Sequence, residues 1–307
     1  MDYEEMLMIK AAWYYYFEGI TQQQAAELMG ITRLRVMKLL EKARQTGIIQ
    51  FRLCKDGERH MKLEKALIEN YHLKDAFVVP AAIDKTMTNA GIAEAASMYI
   101  SERLTPDSVI NMGYGNTPSR ILNNLATVAE HTLTCVSLTG GVSYYLPDTR
   151  SNVFNAKLHL IPAPILASSK EMAAAMRQEV SVSEISRMIS LSHLSVVGIG
   201  AMHESATIFK SGTLNHNDFL YLKMRGAAGD LLSHFIDENG ELIETPLEER
   251  LISTSLSTLK SLQNVIGVAA GESKIEAIRA ALRGRYLDVL ITDDHTASRL
   301  VETTASR

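Results

Sequence analysis

The spacing of apolar residues changes character repeatedly along the first seventy residues. Glu5 to Phe17 places Leu7, Ile9, Ala12, Trp13, Tyr16 and Phe17 at helical intervals, which predicts an amphipathic helix. Two further helical stretches follow, Thr21 to Met29 and a second opening at Thr32, with Gly30 between them. Thr21 and Thr32 stand where N-caps belong, and Gly30 can take the positive φ of a tight turn. Ala25 and Ala26 are small where two helices must approach. Met29, Ile31, Val36 and Leu39 have the spacing that packs them at a steep angle. After Gly47, residues 48–53 alternate and read as a strand forming a wing edge. The polar stretch Cys54 to His60 reads as a boundary, and Met61 to Tyr71 as a connecting helix or dimer-forming arm. The expected domains are therefore 1–56 and 57–307.

From residue 75 short apolar runs alternate with helical patterns. Strands are expected at 76–79, 108–112, 134–138, 158–162, 194–199, 264–269 and 287–292. Helices are expected at 89–104, 118–125, 169–179 and 274–282. This alternation predicts an α/β, Rossmann-like domain with a mainly parallel sheet covered on both faces. Ligands of such sheets lie beyond the carboxyl ends of the strands. Asp237 to Glu241 reads as a hairpin turn with Asn239-Gly240 at its tip.

Charge sharpens the reading of the first unit. The chain is net −4, yet between Ile31 and Leu53 six Lys or Arg (Arg33, Arg35, Lys38, Lys42, Arg44, Arg52) face one acid, Glu41. Such local positive charge suits a DNA phosphate backbone. Thr32, Arg33, Leu34, Arg35 and Lys38 lie at the start of the second helix, where a recognition helix meets base edges and phosphates. Arg33 can reach guanine in bidentate fashion, and Gln22 or Gln23 can bond phosphate or adenine. The five aromatics Trp13 to Phe17 read as core and interface rather than a base-stacking platform.

The second unit gathers anion-binding chemistry at its strand ends. Gly113-Tyr114-Gly115-Asn116-Thr117 leads into Pro118, and Thr139-Gly140-Gly141 follows another strand. Glycines admit a phosphate to backbone N–H groups, and a helix N-terminus adds partial positive charge. Lys274 stands at the start of its own helix, while Asp230 and Asp293 are acceptors suited to sugar hydroxyls. Tyr144 and Tyr145 stand where they could lie over such a pocket. His203, His216 and His234 have no partner that spacing identifies. Two cysteines, Cys54 and Cys135, are too few for a disulfide framework or a zinc site, and no histidine spacing implies a metal. There is no apolar run of membrane-spanning length and no signal-peptide pattern, so a cytoplasmic protein without cofactor is expected.

The chain resembles the SorC family of bacterial transcriptional regulators, most of all its Lsr repressor branch. The resemblance rests on residues 11–49 and on G-Y-G-N-T (113–117), L-T-G-G-V (138–142), I-P-A-P-I-L-A-S-S (161–169), V-V-G-I-G-A (196–201), G-A-A-G-D (226–230), G-V-A-A-G-E-S-K (267–274) and T-D-D-H-T-A (292–297). It implies an effector domain with the fold of phosphosugar isomerases and deaminases. It also implies a tetramer on operator double-stranded DNA, released by a phosphorylated sugar, sugar alcohol or related metabolite. By match, the effector pocket falls on Gly113, Gly115, Thr117, Gly140, Gly141, Asp230, Lys274 and Asp293. Ala270, Ser273 and His295 depart from the Lsr pattern at the expected ligand rim.

A second reading is a sugar-phosphate isomerase or deaminase carrying a DNA-binding appendage. Asp293, Asp294 and Glu272 would then be its general bases. The resemblance favours a regulator with no catalytic residues.

Overall fold

Two threonine caps organise the N-terminal helices. The Thr21 hydroxyl accepts the Gln24 N–H at 3.2 Å while the Gln24 side chain accepts the Thr21 N–H at 2.9 Å, a reciprocal box that starts α2 (Gln22–Met29). Gly30 closes α2 at φ 66°, and Thr32 then caps α3 (Arg33–Gln45) through the Arg35 N–H. The computed structural model describes residues 2–49, 55–129, 131–145, 155–204 and 206–302. The chain divides into two compact units, Met1–Glu58 and Arg59–Arg307.

In the first unit α1 (Tyr3–Ala12) packs on α3, with Met8, Ala11, Ala25, Ala26, Val36, Leu39, Leu40 and Ala43 forming a small core. The aromatic run continues α1 as a π-helical turn, Trp13–Phe17. Five consecutive residues span more than one turn and cannot share one face. Tyr14 and Tyr15 lean on the core, whereas Trp13 is 53% exposed and Phe17 76%. Tyr14 and Tyr15 are thus the core members of the expected core-and-interface set, and Trp13 and Phe17 its surface members. Ile48 and Ile49 lie in a turn that ends α3, with the Ile49 N–H bonded to Ala43 O. The rest of the expected wing strand, residues 50–53, lies outside the described residues.

Helix α4 is longer than its apolar pattern suggests, spanning Lys55–Tyr71. The polar residues before Met61 include the good helix formers Lys55, Glu58 and Arg59, so polarity there did not mean a break. The second unit is built on seven parallel strands in the order β1-β9-β8-β5-β2-β3-β4. These are β1 (Asp75–Val79), β2 (Val109–Met112), β3 (Leu133–Ser137), β4 (Ala156–His159), β5 (Leu194–Ala201), β8 (Val265–Val268) and β9 (Val289–Asp293). Two short strands, β6 (Gly229–Leu231) and β7 (His234–Ile236), form an antiparallel hairpin that pairs with the end of β5. Ile236 also bridges Leu242 around the Asn239-Gly240 turn.

The helices connecting the strands include α5 (Thr88–Ser101), α6 (Asn116–Val128), α7 (Lys170–Gln178) and α8 (Val180–Leu191). They continue with α9 (Thr207–Lys210), α10 (His216–Met224), α11 (Pro246–Arg250), α12 (Leu256–Ser261), α13 (Ile275–Arg283) and α14 (Asp294–Glu302). Two large apolar clusters, centred on Val197, Ile236 and Ile278 and on Ile110, Ile121 and Ile266, fill the layers beside the sheet. The outward N–H groups of edge strand β1 are occupied: Ala76 donates to Asp75 Oδ1 at 2.9 Å and Val78 to Glu64 Oε1 at 2.8 Å.

The chain leaves β2 toward β3 and β4, then returns to place β5 on the other side of β2 and continues toward β8 and β9. The switch point therefore lies between β2 and β5, where a crevice opens at the carboxyl ends.

Candidate functional site

A cleft of about 980 Å³ occupies that crevice. Its walls include Gly115 to Pro118 after β2, Gly198 to Ala201 of β5, Asp230 of β6, Gly271 to Lys274 after β8, Asp293 at the end of β9 and His295 beyond it. Gly115 precedes α6 at φ 127°, a conformation that favours glycine, and has no side-chain cap to offer, so the start of α6 faces the cleft by its backbone. Five of the eight expected effector residues meet here: Gly115, Thr117, Asp230, Lys274 and Asp293.

The other three do not line the cleft. Gly113 is buried and extends the ladder, its N–H bonded to Val196 O at 2.7 Å. Gly140 and Gly141 donate to Ile252 O and Ala163 O. A Cβ on Gly140 would stand 2.4 Å from Pro164 O and 2.8 Å from Ala163 O. Gly140 thus makes room for a neighbouring backbone, and Gly141 takes a φ of 83° beside it. Gly140→Ala is expected to destabilise the protein by about 3 kcal/mol or more, because both obstacles are main-chain atoms that cannot rotate away. Thermal denaturation checks it, and an unchanged Tm would mean that the crossing can open.

Tyr145 is likewise not a lid. It is buried, with its hydroxyl 2.7 Å from Thr139 Oγ1. The Tyr144 side chain lies outside the described residues. Asp293 is divided between two tasks: it lines the cleft, and its Oδ1 accepts the Thr296 N–H at 2.7 Å to start α14. Asp294 accepts the Ala81 N–H at 2.9 Å and faces Arg59 and His60. Glu272 is at the rim, 3.6 Å from His295 and 3.7 Å from Arg299.

Asp230 sits in a notch that only glycine leaves open. It lies opposite Gly200 on β5, where a Cβ would fall 1.8 Å from its Oδ1. Its Oδ2 receives the Ser233 N–H at 3.1 Å, and the Tyr114 hydroxyl donates to the same carboxylate. Ser233 Oγ in turn donates to Tyr114 at 2.8 Å. Burial outweighs these donors and pushes the carboxyl up to about 6. Lys274 shares the cleft. Burial holds its ammonium below the usual lysine range, and the charge of Asp230 only partly offsets this. Among the described residues its Nζ makes no hydrogen bond and no ion pair within 4 Å. A cation and an acceptor thus face a common space without meeting.

Several cleft residues escaped sequence reasoning. Lys85, Thr88 and Asn89 come from the segment after β1, and His203, Thr207 and Lys210 from the segment after β5. Their only signal is position beyond a strand end. Thr117 Oγ1 donates to Asn89 Oδ1 at 3.3 Å, which ties the two walls.

The second candidate surface is on α3. Val36, Leu39, Leu40 and Ala43 face inward, leaving Arg33, Leu34, Arg35, Met37 and Lys38 exposed. Arg35 is 3.8 Å from Glu4, which is held below the usual carboxylate range chiefly by Lys42 at 2.8 Å. Among the described residues Arg33 and Lys38 make no hydrogen bond or ion pair. Gln22 is half-buried, and Gln23 is exposed but bonded to Glu27 at 3.0 Å.

Known proteins place this arrangement. Residues 55–302 match the Sugar-bind family, a sugar-binding domain. The transcriptional regulator LsrR of Klebsiella pneumoniae is 34% identical over 299 residues, covering 96% of this chain and 92% of that protein. LsrR of Escherichia coli K12 is 32% identical over 302 residues, covering 97% and 95%. The full-length sorbitol operon regulator SorC from Klebsiella pneumoniae superposes with a TM-score of 0.70 at 26% identity, over 98% of this chain and 100% of that one. No helix among the described residues is long and apolar enough to cross a membrane. With a parallel-sheet sugar-binding domain behind two capped N-terminal helices and full-length likeness to LsrR, the chain belongs to the SorC family of transcriptional regulators.

Proposed function

We propose that this protein is a cytoplasmic repressor that reads operator DNA through residues 1–56 and senses a phosphorylated sugar, sugar alcohol or related metabolite through residues 57–307. Thr32, Arg33, Leu34, Arg35 and Lys38 meet the major groove, with Gln22 and Gln23 on the flanking backbone. Arg33 and Lys38 are the strongest of these, being uncommitted to other side chains. Gln23 and Arg35 must first leave Glu27 and Glu4.

The effector seats its anionic group between the start of α6 and Lys274, and its hydroxyls on Asp230 and Asp293. Copies assemble as a tetramer that spans paired half-sites. Effector binding favours an arrangement that no longer fits them. No chemistry is required. The carboxylates an isomerase would use are committed to capping α14, to the Ala81 N–H and to rim cations.

Arg33→Ala is expected to weaken operator binding about 5- to 150-fold, corresponding to about 1–3 kcal/mol for a lost base contact. A mobility-shift titration on the promoter of its own or adjacent genes reads this. An unchanged curve removes Arg33 from the base-reading set. In a thermal-shift screen of phosphorylated sugars and polyols, an effector at a hundred times its Kd should stabilise by about 2.7 kcal/mol. No preference for any such promoter, with or without metabolites, would defeat the whole reading.

A further inference from the structure

We propose that Asp230 is a specificity determinant, making the cleft select oxyanions that carry a hydrogen-bond donor over anions that carry none. This rests on reading the cleft as an anion site. The class favoured is phosphate and phosphate esters with a protonated oxygen or neighbouring hydroxyl. The class rejected is fully ionised oxyanions such as sulfate.

The geometry supplies the reason. Asp230 is pinned as an acceptor, with Ser233 N–H and the Tyr114 hydroxyl both donating to it and the absent Cβ of Gly200 admitting it to the cleft wall. It therefore cannot swing away from a ligand beside Lys274. A carboxylate held against an anion repels it unless one of the two carries a proton to share. Phosphate near neutrality can supply that proton, and a sugar phosphate can supply a hydroxyl. Sulfate has neither, so it binds only when Asp230 itself is protonated. Burial pushes that carboxyl up to about 6, within reach of a mildly acidic solution.

Other charged groups share the space. Lys274 and His234 act on Asp230 directly, and His203, Lys85 and Lys210 line the cleft with His295 at the rim. Asp230→Asn separates their contribution, because the amide keeps the shape of the side chain and can donate at every pH.

Inorganic phosphate and sodium sulfate are titrated into the full-length protein by calorimetry at constant ionic strength, between pH 5.5 and 7.5. The wild type is expected to bind phosphate at least 10-fold more tightly than sulfate at pH 7.5, with sulfate affinity rising several-fold at pH 5.5. In Asp230→Asn the preference should fall to about 2-fold, and the rise in sulfate affinity should shrink. Equal affinities in the wild type overturn the proposal, as does a preference that survives in Asp230→Asn. The wild-type pH series decides the matter alone should the variant fail to fold. Binding of neither anion, or equal binding by Lys274→Met, instead defeats the reading of the cleft as an anion site, and the selectivity with it.

Discussion

Lys274→Met is expected to leave a protein that holds operator DNA and that no metabolite releases. The expected result in a mobility-shift assay is operator retained at every effector concentration, with the effector-dependent thermal shift lost. The argument is electrostatic. Lys274 is the one cleft cation tied by its position to both Asp230 and the start of α13, and its ammonium has no protein partner among the described residues. A cation at a helix N-terminus is misplaced on its own, because the partial charge there is already positive. An anion seated between the two removes that conflict, so much of the binding free energy runs through this side chain. Methionine keeps the length and the apolar stem but not the charge. Losing a charge-assisted contact in a desolvated cleft weakens binding by about 2–5 kcal/mol, or roughly 30-fold to several thousand-fold. Release at ordinary effector concentrations by Lys274→Met would move the anion seat elsewhere, with Lys85 and Lys210 the alternatives.

Stability should also respond to pH through Asp230, and in an unusual direction for a carboxylate. Its ordinary value of 3.8 is raised to about 6 in the folded chain. The fold therefore binds this proton more tightly than the unfolded chain does. The resulting stability is fully present below pH 3.8 and is lost as pH rises through about 6. Over that window the loss is about 3 kcal/mol, since each pKa unit is worth about 1.4 kcal/mol. Asp230→Asn removes the slope and is expected to be more stable than wild type at pH 8 by up to that amount. A difference of that size is about 6–12 °C in Tm for a unit of this length. Lys274, whose folded value is depressed, contributes with the opposite sign and is present in both proteins. Denaturation scans of both proteins from pH 4 to pH 8 test this, and parallel curves would mean that the carboxyl is not desolvated.

Much of the architecture was legible because β2 and β8 run into glycine turns at Gly113 and Gly271 and several helices begin at side-chain caps. Thr21, Gly30 and Thr32 mark their helices by local chemistry alone, and the parallel sheet follows from the alternation of apolar runs with amphipathic stretches. The unread parts have physical causes. Val180 to Ile189 carries Val-Ser-Val-Ser, a period of two that masks helix α8. The β6–β7 hairpin turns at Leu232 and Ser233, with φ of 54° and 70°, where neither glycine nor asparagine announces it. That turn places the Ser233 N–H on Asp230, so the most informative part of the cleft had the weakest local signal. Gly140-Gly141 misled for the opposite reason. A glycine pair looks the same whether it makes room for a ligand or for the carbonyls of Ala163 and Pro164. Asp293 was singled out as a ligand acceptor, but its role in starting α14 depends on a turn that sequence spacing does not display.

The outer edge of β1 has a consequence for assembly. Parallel sheets invite a further strand wherever donors point into solvent, and that is how many chains stray into fibrils. Here the Asp75 and Glu64 carboxylates already occupy the donors at Ala76 and Val78. An incoming strand would have to displace two anions to pair there. Copies of this chain that meet along that margin must therefore associate through side chains rather than by adding a strand.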